Sequence, residues 1–189
     1  MISAQKNSMK KRESISIREM EFEDIYQVFQ LGEKLFTSED LPNLYRTWDE
    51  HEVIAFFQED QETCLVAVRG KRIVGFVLGT TVLKSRSAWK YGYLVWLGVN
   101  PTYQREGVAT RLFNQFRNLM LENGVRMLLV DTEVANEEAF KFFQRAGFGN
   151  PEEHVYMTLN LAAEQKQRKE ELEGQSAKSR KSTNNNHDR

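Results

Sequence analysis

Gln104-Arg105-Glu106-Gly107-Val108-Ala109 stands between an apolar run that ends at Val99 and a helical repeat through Leu112, Phe113, Phe116, Leu119 and Met120. Residues as small as Gly107 and Ala109 leave no bulk over the first helical turn. Backbone N–H groups with no partner inside the helix then face outward, together with the positive end of the helix dipole. That arrangement suits a phosphate. A glycine at this point also serves simply to open a helix, and the string alone does not separate the two uses. Other phosphate loops do not fit, because the lysine and serine or threonine of a P-loop are missing, as is the three-glycine dinucleotide fingerprint.

A second segment, Asp131-Thr132-Glu133-Val134-Ala135-Asn136, ends a strand in acidic residues. Asn136 is a good N-cap for the helix that follows, which closes on Gly147-Phe148. Taken together and in this order, the two segments resemble the GNAT superfamily of acetyl-CoA-dependent N-acetyltransferases, over roughly Ser14 to Leu161. Gln104 to Ala109 is similar to the family's pyrophosphate loop. Asn136, Ala139, Gly147 and Phe148 are similar to its second motif.

The resemblance implies an α+β fold of three layers, α/β/α, around a mixed, mostly antiparallel sheet. Its fourth and fifth strands, here Tyr93 to Val99 and Met127 to Thr132, would splay apart to admit the pantetheine arm of acetyl-CoA. Backbone groups of Leu97 and Val99 would lie beside that arm, with Gly98 permitting a bulge between them. Gln104, Arg105, Glu106, Gly107, Val108, Ala109 and Thr110 would hold the diphosphate, and Asn136 would bind the arm.

Acetylation needs a neutral nitrogen, while a lysine amine has a pKa of about 10.4 and an α-amine about 8. A proton acceptor is therefore required. In the ribosomal-protein N-terminal acetyltransferase branch it is a carboxylate five residues before the asparagine, acting through water, and Asp131 has that position here. An aspartate at a strand end also bonds nearby turns, and Glu133 is the second candidate. The N–H of Leu97 would stabilise the oxyanion, a contact worth roughly 3 kcal/mol elsewhere. The chain departs from the family at Phe143, where a tyrosine commonly protonates the thiolate; phenylalanine would keep the packing against the thioether region of the cofactor and remove the proton. The change is open to three outcomes, a reduced rate, a substitute donor or loss of catalysis; a thiol of pKa about 8.5 leaves largely unassisted, so the first is chemically tolerable and the enzyme reading is kept. Tyr156 is a substitute acid to test, although it also reads as a half-buried strand aromatic, and His154 is no stronger.

The elements that must position these residues follow from hydrophobic period. Ser14 to Arg18 alternates as a strand, and Phe22 to Phe36 repeats as a helix. Trp48 to Gln58 reads as a second helix after a loop with Pro42, and Thr37 to Trp48 would shape an open groove for the acceptor. Cys64 to Val68 and Ile73 to Leu78 form an antiparallel hairpin about Arg69-Gly70-Lys71-Arg72. Then come a strand from Tyr91 to Val99, a helix ending near Asn123-Gly124, a strand over Met127 to Val130, a helix over Glu137 to Ala146, and a last strand over Val155 to Leu159. Trp89, Tyr91, Tyr93 and Trp96 would either line the acceptor groove or pack as ordinary strand aromatics.

A length of 189 residues suits one domain, and a hydrophobic share of 40% against 28% charged excludes collagen-like and wholly disordered classes. The polar arm Met1 to Glu13 carries +3 and the tail Ala162 to Arg189 carries +2, which leaves -6 for Ser14 to Leu161 out of a total of -1. That balance argues against nucleic acid and favours a cationic substrate. The tail starts as a helix former and is expected to be disordered from Gly174. One cysteine, Cys64, makes no internal disulfide or thiolate cage, and the three histidines lack ligand spacing, so no metal is expected. With no signal-like or membrane-spanning apolar run, the expected location is cytoplasmic, with no membrane partner. The expected activity is acetyl transfer from acetyl-CoA to a primary amine in a ternary complex. The acceptor is open: a protein N-terminus or lysine is slightly favoured, with a small amine close behind. A non-catalytic acyl-CoA-binding regulatory module is the alternative that Phe143 raises.

Overall fold

The computed structural model describes residues 13–36, 48–83, 89–155, 157, 161–162, 164–169 and 172. It divides into two compact units, Met1–Asn150 and Pro151–Arg189. In the first unit the order is β1 (Ser16–Glu19), α1 (Ile25–Phe36), α2 (Glu50–Glu59), β2 (Leu65–Arg69), β3 (Arg72–Leu83), β4 (Lys90–Val99), α3 (Val108–Glu122), β5 (Val125–Val130) and α4 (Glu137–Arg145). Asp49 begins α2 by accepting the N–H of Glu52 at 2.8 Å. Trp48, expected inside that helix, lies before it. Its indole donates to the carbonyl of Phe29 at 3.1 Å and lies against Gly32, where a Cβ would fall 2.0 Å from the ring.

The strands form one five-stranded sheet in chain order. Neighbours are antiparallel except β4 and β5, which run parallel and are joined through α3. One face packs on α1 and α2 through Val28, Leu31, Trp48, Val53, Phe76 and Trp96. The other packs on α3 and α4 through Val77, Leu94, Leu112, Phe116 and Phe143. Buried on both faces, β3 reads as a continuous apolar run, which is why its period alone is uninformative. The result is the three-layer α/β/α arrangement with a mixed sheet.

One irregularity reshapes β4. Leu78 pairs with Trp96 and Gly79 with Leu94, so Val95 is an extra residue with no partner on β3. The alternation of side chains flips there: Leu94 faces α3, whereas Val95 and Trp96 both face α1 and α2. The bulge expected at Gly98 therefore sits at Val95. Gly98 is in regular register with Phe76 and is small because Leu35 and Phe76 close over it, within 2.8 and 2.9 Å of where a Cβ would stand.

In the second unit the described residues from Ala162 to Leu172 that have regular structure are helical. Val155 and Met157 lie outside any strand and are 87% and 84% exposed, which departs from the expected last strand. Tyr156, residues 158–160, the loop with Pro42, the first twelve residues and the tail from Gly174 lie outside the described residues.

Candidate active site

The parallel pair is hydrogen-bonded only over its first half. Its rungs run from Lys90↔Val125 to Leu94↔Val130 and stop there, so Trp96 to Val99 keep β3 on one side and, like the bulged Val95, lack a β5 rung on the other. The bulge explains the opening, because an extra residue bends a strand and terminates pairing. Beyond it, the N–H of Asn100 donates to the carbonyl of Val74 at 2.9 Å, which marks the hydrogen-bonded phase of the β3–β4 ladder. Stepping back by twos, Gly98 and Trp96 share that phase. Leu97 and Val99 are in the other phase, with N–H and C=O turned away from β3 into the gap. A strand-like arm with its own amides would meet them there.

The gap opens at the carboxyl ends of both strands, and both following helices begin there. Asn100 and Pro101 turn the chain out of β4, and Gly107 then starts α3 with φ of 75°. That left-handed conformation suits glycine, and a Cβ added to it meets nothing within 4 Å. Backbone geometry therefore calls for glycine here, and space lies open above it. Among the described residues no side chain caps α3, so the N–H groups of Val108, Ala109 and Thr110 are left for an outside acceptor. Val108 itself turns its side chain into the core, while Gln104, Glu106 and Thr110 are exposed. Arg105 is left-handed as well, with φ of 65°, a conformation its residue type does not announce. Glu106 pairs with Arg69 of the β2–β3 hairpin at 3.6 Å, so the loop's own anionic charge is met from a neighbouring element.

Asp131 follows the last rung directly, and the hydroxyl of Tyr93 on β4 donates to its Oδ1. By sequence Tyr93 is one of four strand aromatics, Trp89, Tyr91, Tyr93 and Trp96. Its place opposite Leu129, two residues before the carboxylate, is set by the parallel register and has no mark in the sequence. Glu133 sits in the following turn, where its carbonyl accepts the N–H of Asn136 at 2.9 Å. Asn136 caps α4 through Oδ1, which accepts the N–H of Ala139 at 3.1 Å and leaves Nδ2 outside the cap. Phe143 is only 9% exposed and meets Phe142 and Phe148 edge to face, ring centres 5.2 and 5.5 Å away. Trp96 belongs to the aromatic core with Phe36 and Trp48, and its indole donates to Glu52 Oε1 at 3.1 Å. Leu97, Val99, the 104–110 loop, Asp131, Glu133 and Asn136 thus gather at one end of the sheet. Trp96 and the ring of Phe143 are core.

A profile of the acetyltransferase (GNAT) family matches residues 26–148, well over half of the chain. The chain belongs to the GNAT family. N-alpha-acetyltransferase 30 of Schizosaccharomyces pombe is 30% identical to it over 93 residues, 49% of this chain and 61% of that protein. The human protein of the same name is 26% identical over 93 residues, 49% of this chain and 25% of that protein. The chain therefore spans less than two-thirds of the length of these relatives. The resemblance to the N-terminal acetyltransferase branch holds. Among solved structures, the NatC complex bound to Gag peptide and CoA aligns with a TM-score of 0.64 at 19% identity, covering 74% of this chain and 87% of that one. Ard1 from Thermoplasma volcanium aligns at 0.60 and 21%, covering 71% and 82%. An aminoglycoside acetyltransferase from an uncultured soil metagenomic sample, in complex with sisomicin, aligns at 0.62 and 20%, covering 77% and 97%. These likenesses establish the GNAT fold. Among the described residues no group of three or more His, Cys, Asp or Glu is placed to hold a metal ion, and no helix is long and apolar enough to cross a membrane.

Proposed function

We propose that this GNAT protein is an acetyl-CoA-dependent N-acetyltransferase, with a catalytic domain over 14–161, acting on a primary amine of a protein. The observation that carries the reading is the parting of β4 from β5 after Leu94, with the polar groups of Leu97 and Val99 turned into the opening. The N–H groups at the start of α3 fit a diphosphate, the open space over Gly107 lets it approach, and Nδ2 of Asn136 is left to hold the arm. When bound, acetyl-CoA supplies an activated acetyl group and a thiol leaving group of pKa about 8.5.

The chain's own residues do the rest. Asp131, oriented by Tyr93, takes the proton of the incoming amine, directly or through water, and Glu133 is the second candidate for that role. The N–H of Leu97 donates to the carbonyl oxygen on which charge develops. Phe143 supplies packing and no proton, which a thiol leaving group tolerates. The N-alpha-acetyltransferase relatives favour a protein N-terminus over a lysine or a small amine, and the acidic balance of Ser14 to Leu161 suits a cationic acceptor. The single buried Cys64 suits a reducing cytoplasm.

Calorimetric titration with acetyl-CoA, followed by mass spectrometry of a peptide and amine library, tests this. Saturable binding and acetyl on peptide α-amines are expected. Binding without turnover on any amine makes the protein an acyl-CoA-binding module, and absence of binding overturns the assignment of the gap.

A further inference from the structure

We propose that Thr63 and Gly79 are positioning residues for this reaction, holding β3 in the one arrangement that keeps the bulge at Val95 open. The inference rests on reading the gap as the acetyl-CoA site. Gly79 is the β3 residue opposite Leu94, at the step where the register shifts. A Cβ on it would stand 2.5 Å from the ring of Phe116 and 2.7 Å from the carbonyl oxygen of Tyr93. The second contact is with backbone, so a side chain at 79 has to push β4 away at the residue whose hydroxyl holds Asp131. Glycine thus lets β3 approach closely on one side of the bulge.

Thr63 secures the same residue from the other side. It is 0% exposed, and its hydroxyl lies between the carbonyls of Gly79 and Asp60. It thereby satisfies a carbonyl that β2, which begins at Leu65, does not reach. The carboxylate of Asp60 in turn accepts Thr80 Oγ1 and the N–H of Thr81, so the segment around Gly79 is tied at three successive residues. Neither Thr63 nor Gly79 lies in the gap. They act through Leu94, Val95 and Tyr93.

The test uses the full chain with Thr63→Val, Thr63→Ser and Gly79→Ala. Displacing the groups of β4 by about an ångström lowers kcat/KM for acetyl-CoA on the order of 10²-fold in Thr63→Val and Gly79→Ala, while Thr63→Ser keeps the hydroxyl and recovers most of the rate. In the free protein, the cross-strand nuclear Overhauser contacts Leu78–Trp96 and Gly79–Leu94 shift in the first two variants and not in the third. Steady-state constants and contacts unchanged in a folded Thr63→Val overturn the proposal, as does a loss in Thr63→Ser equal to that in Thr63→Val. If Gly79→Ala does not fold, the Thr63 pair decides. If the unmodified protein binds no acetyl-CoA, the functional reading fails, and the contacts alone decide whether these residues set the bulge.

Discussion

Tyr93 donates its hydroxyl to Asp131 across the last rungs of the parallel pair, joining β4 to the residue that follows β5. Tyr93 pairs with Leu129, and Asp131 lies two residues further along, on the same face as strand alternation requires. The tyrosine thereby orients a carboxylate at the mouth of the gap. Asp131→Asn is expected to lower kcat/KM about 10²-fold or more near neutral pH, where the amine is protonated, and less above the amine's pKa. Tyr93→Phe removes one charge-assisted hydrogen bond and is expected to cost about tenfold. A pH–rate profile checks both, and a profile unchanged in Asp131→Asn removes it as the base.

Gly107→Val places a branched residue at φ of 75° and fills the space over the first turn of α3. The strain is about 1–2 kcal/mol. Binding of acetyl-CoA falls further than that strain explains, because the added bulk covers the uncapped N–H groups. Calorimetry set beside thermal unfolding separates the two effects, and unaltered affinity argues against the diphosphate at this turn.

Phe143→Tyr adds a hydroxyl among Phe142, Phe148 and the core, and an unpaired buried hydroxyl costs about 1–3 kcal/mol. A lower Tm with unchanged kcat is expected. A higher kcat at unchanged Tm would show that position 143 reaches the leaving thiol.

Asp24 is buried, which by itself pushes its carboxyl up. The hydrogen bonds from Arg18, at 2.5 and 3.0 Å, and from the N–H of Glu21, together with the charge of Arg18, hold it below the usual carboxylate range. A carboxyl with its folded value depressed stabilises above its unfolded pKa of about 3.9, and that stability is lost as pH falls through the folded value. Arg18→Ala is expected to cost about 2 kcal/mol at pH 7, discounted for the partial exposure of Arg18. The cost shrinks below about pH 4. Denaturant midpoints at the two pH values check this; an equal cost at both contradicts it.

Burial pushes the Cys64 thiol up to about 12, helped by the nearby charge of Asp60. Here the folded value is raised, so the contribution is complete below the unfolded pKa of about 8.5 and declines above it by about 1.4 kcal/mol per pH unit until the folded value is reached. Urea midpoints from pH 8 to 10 should fall more steeply for the unmodified protein than for Cys64→Ala. Parallel slopes would contradict the burial of the thiol.

The order of strands and helices through α4, the hairpin at Gly70, the uncapped start of α3 and the Asn136 cap were legible in the sequence. Each depends on neighbours along the chain: a period of two or near four, a glycine that tolerates positive φ, an amide that reaches the N–H three residues on. The parting of the parallel strands came from family resemblance, and the bulge expected at Gly98 lies at Val95. A bulge is a mismatch between two strands, so its site depends on Gly79 and Thr63 across the ladder as well as on β4. Gly98 suits a bulge by its residue type, whereas a valine such as Val95 carries no such mark. The left-handed Arg105 and the burial of Phe143 and Trp96 were likewise decided by what packs against them. So was the Tyr93–Asp131 bond, whose partners are 38 residues apart and meet only because β4 and β5 run parallel in this register. Local periodicity is written into adjacent residues, whereas register and close approach are properties of pairs that only the folded chain brings together.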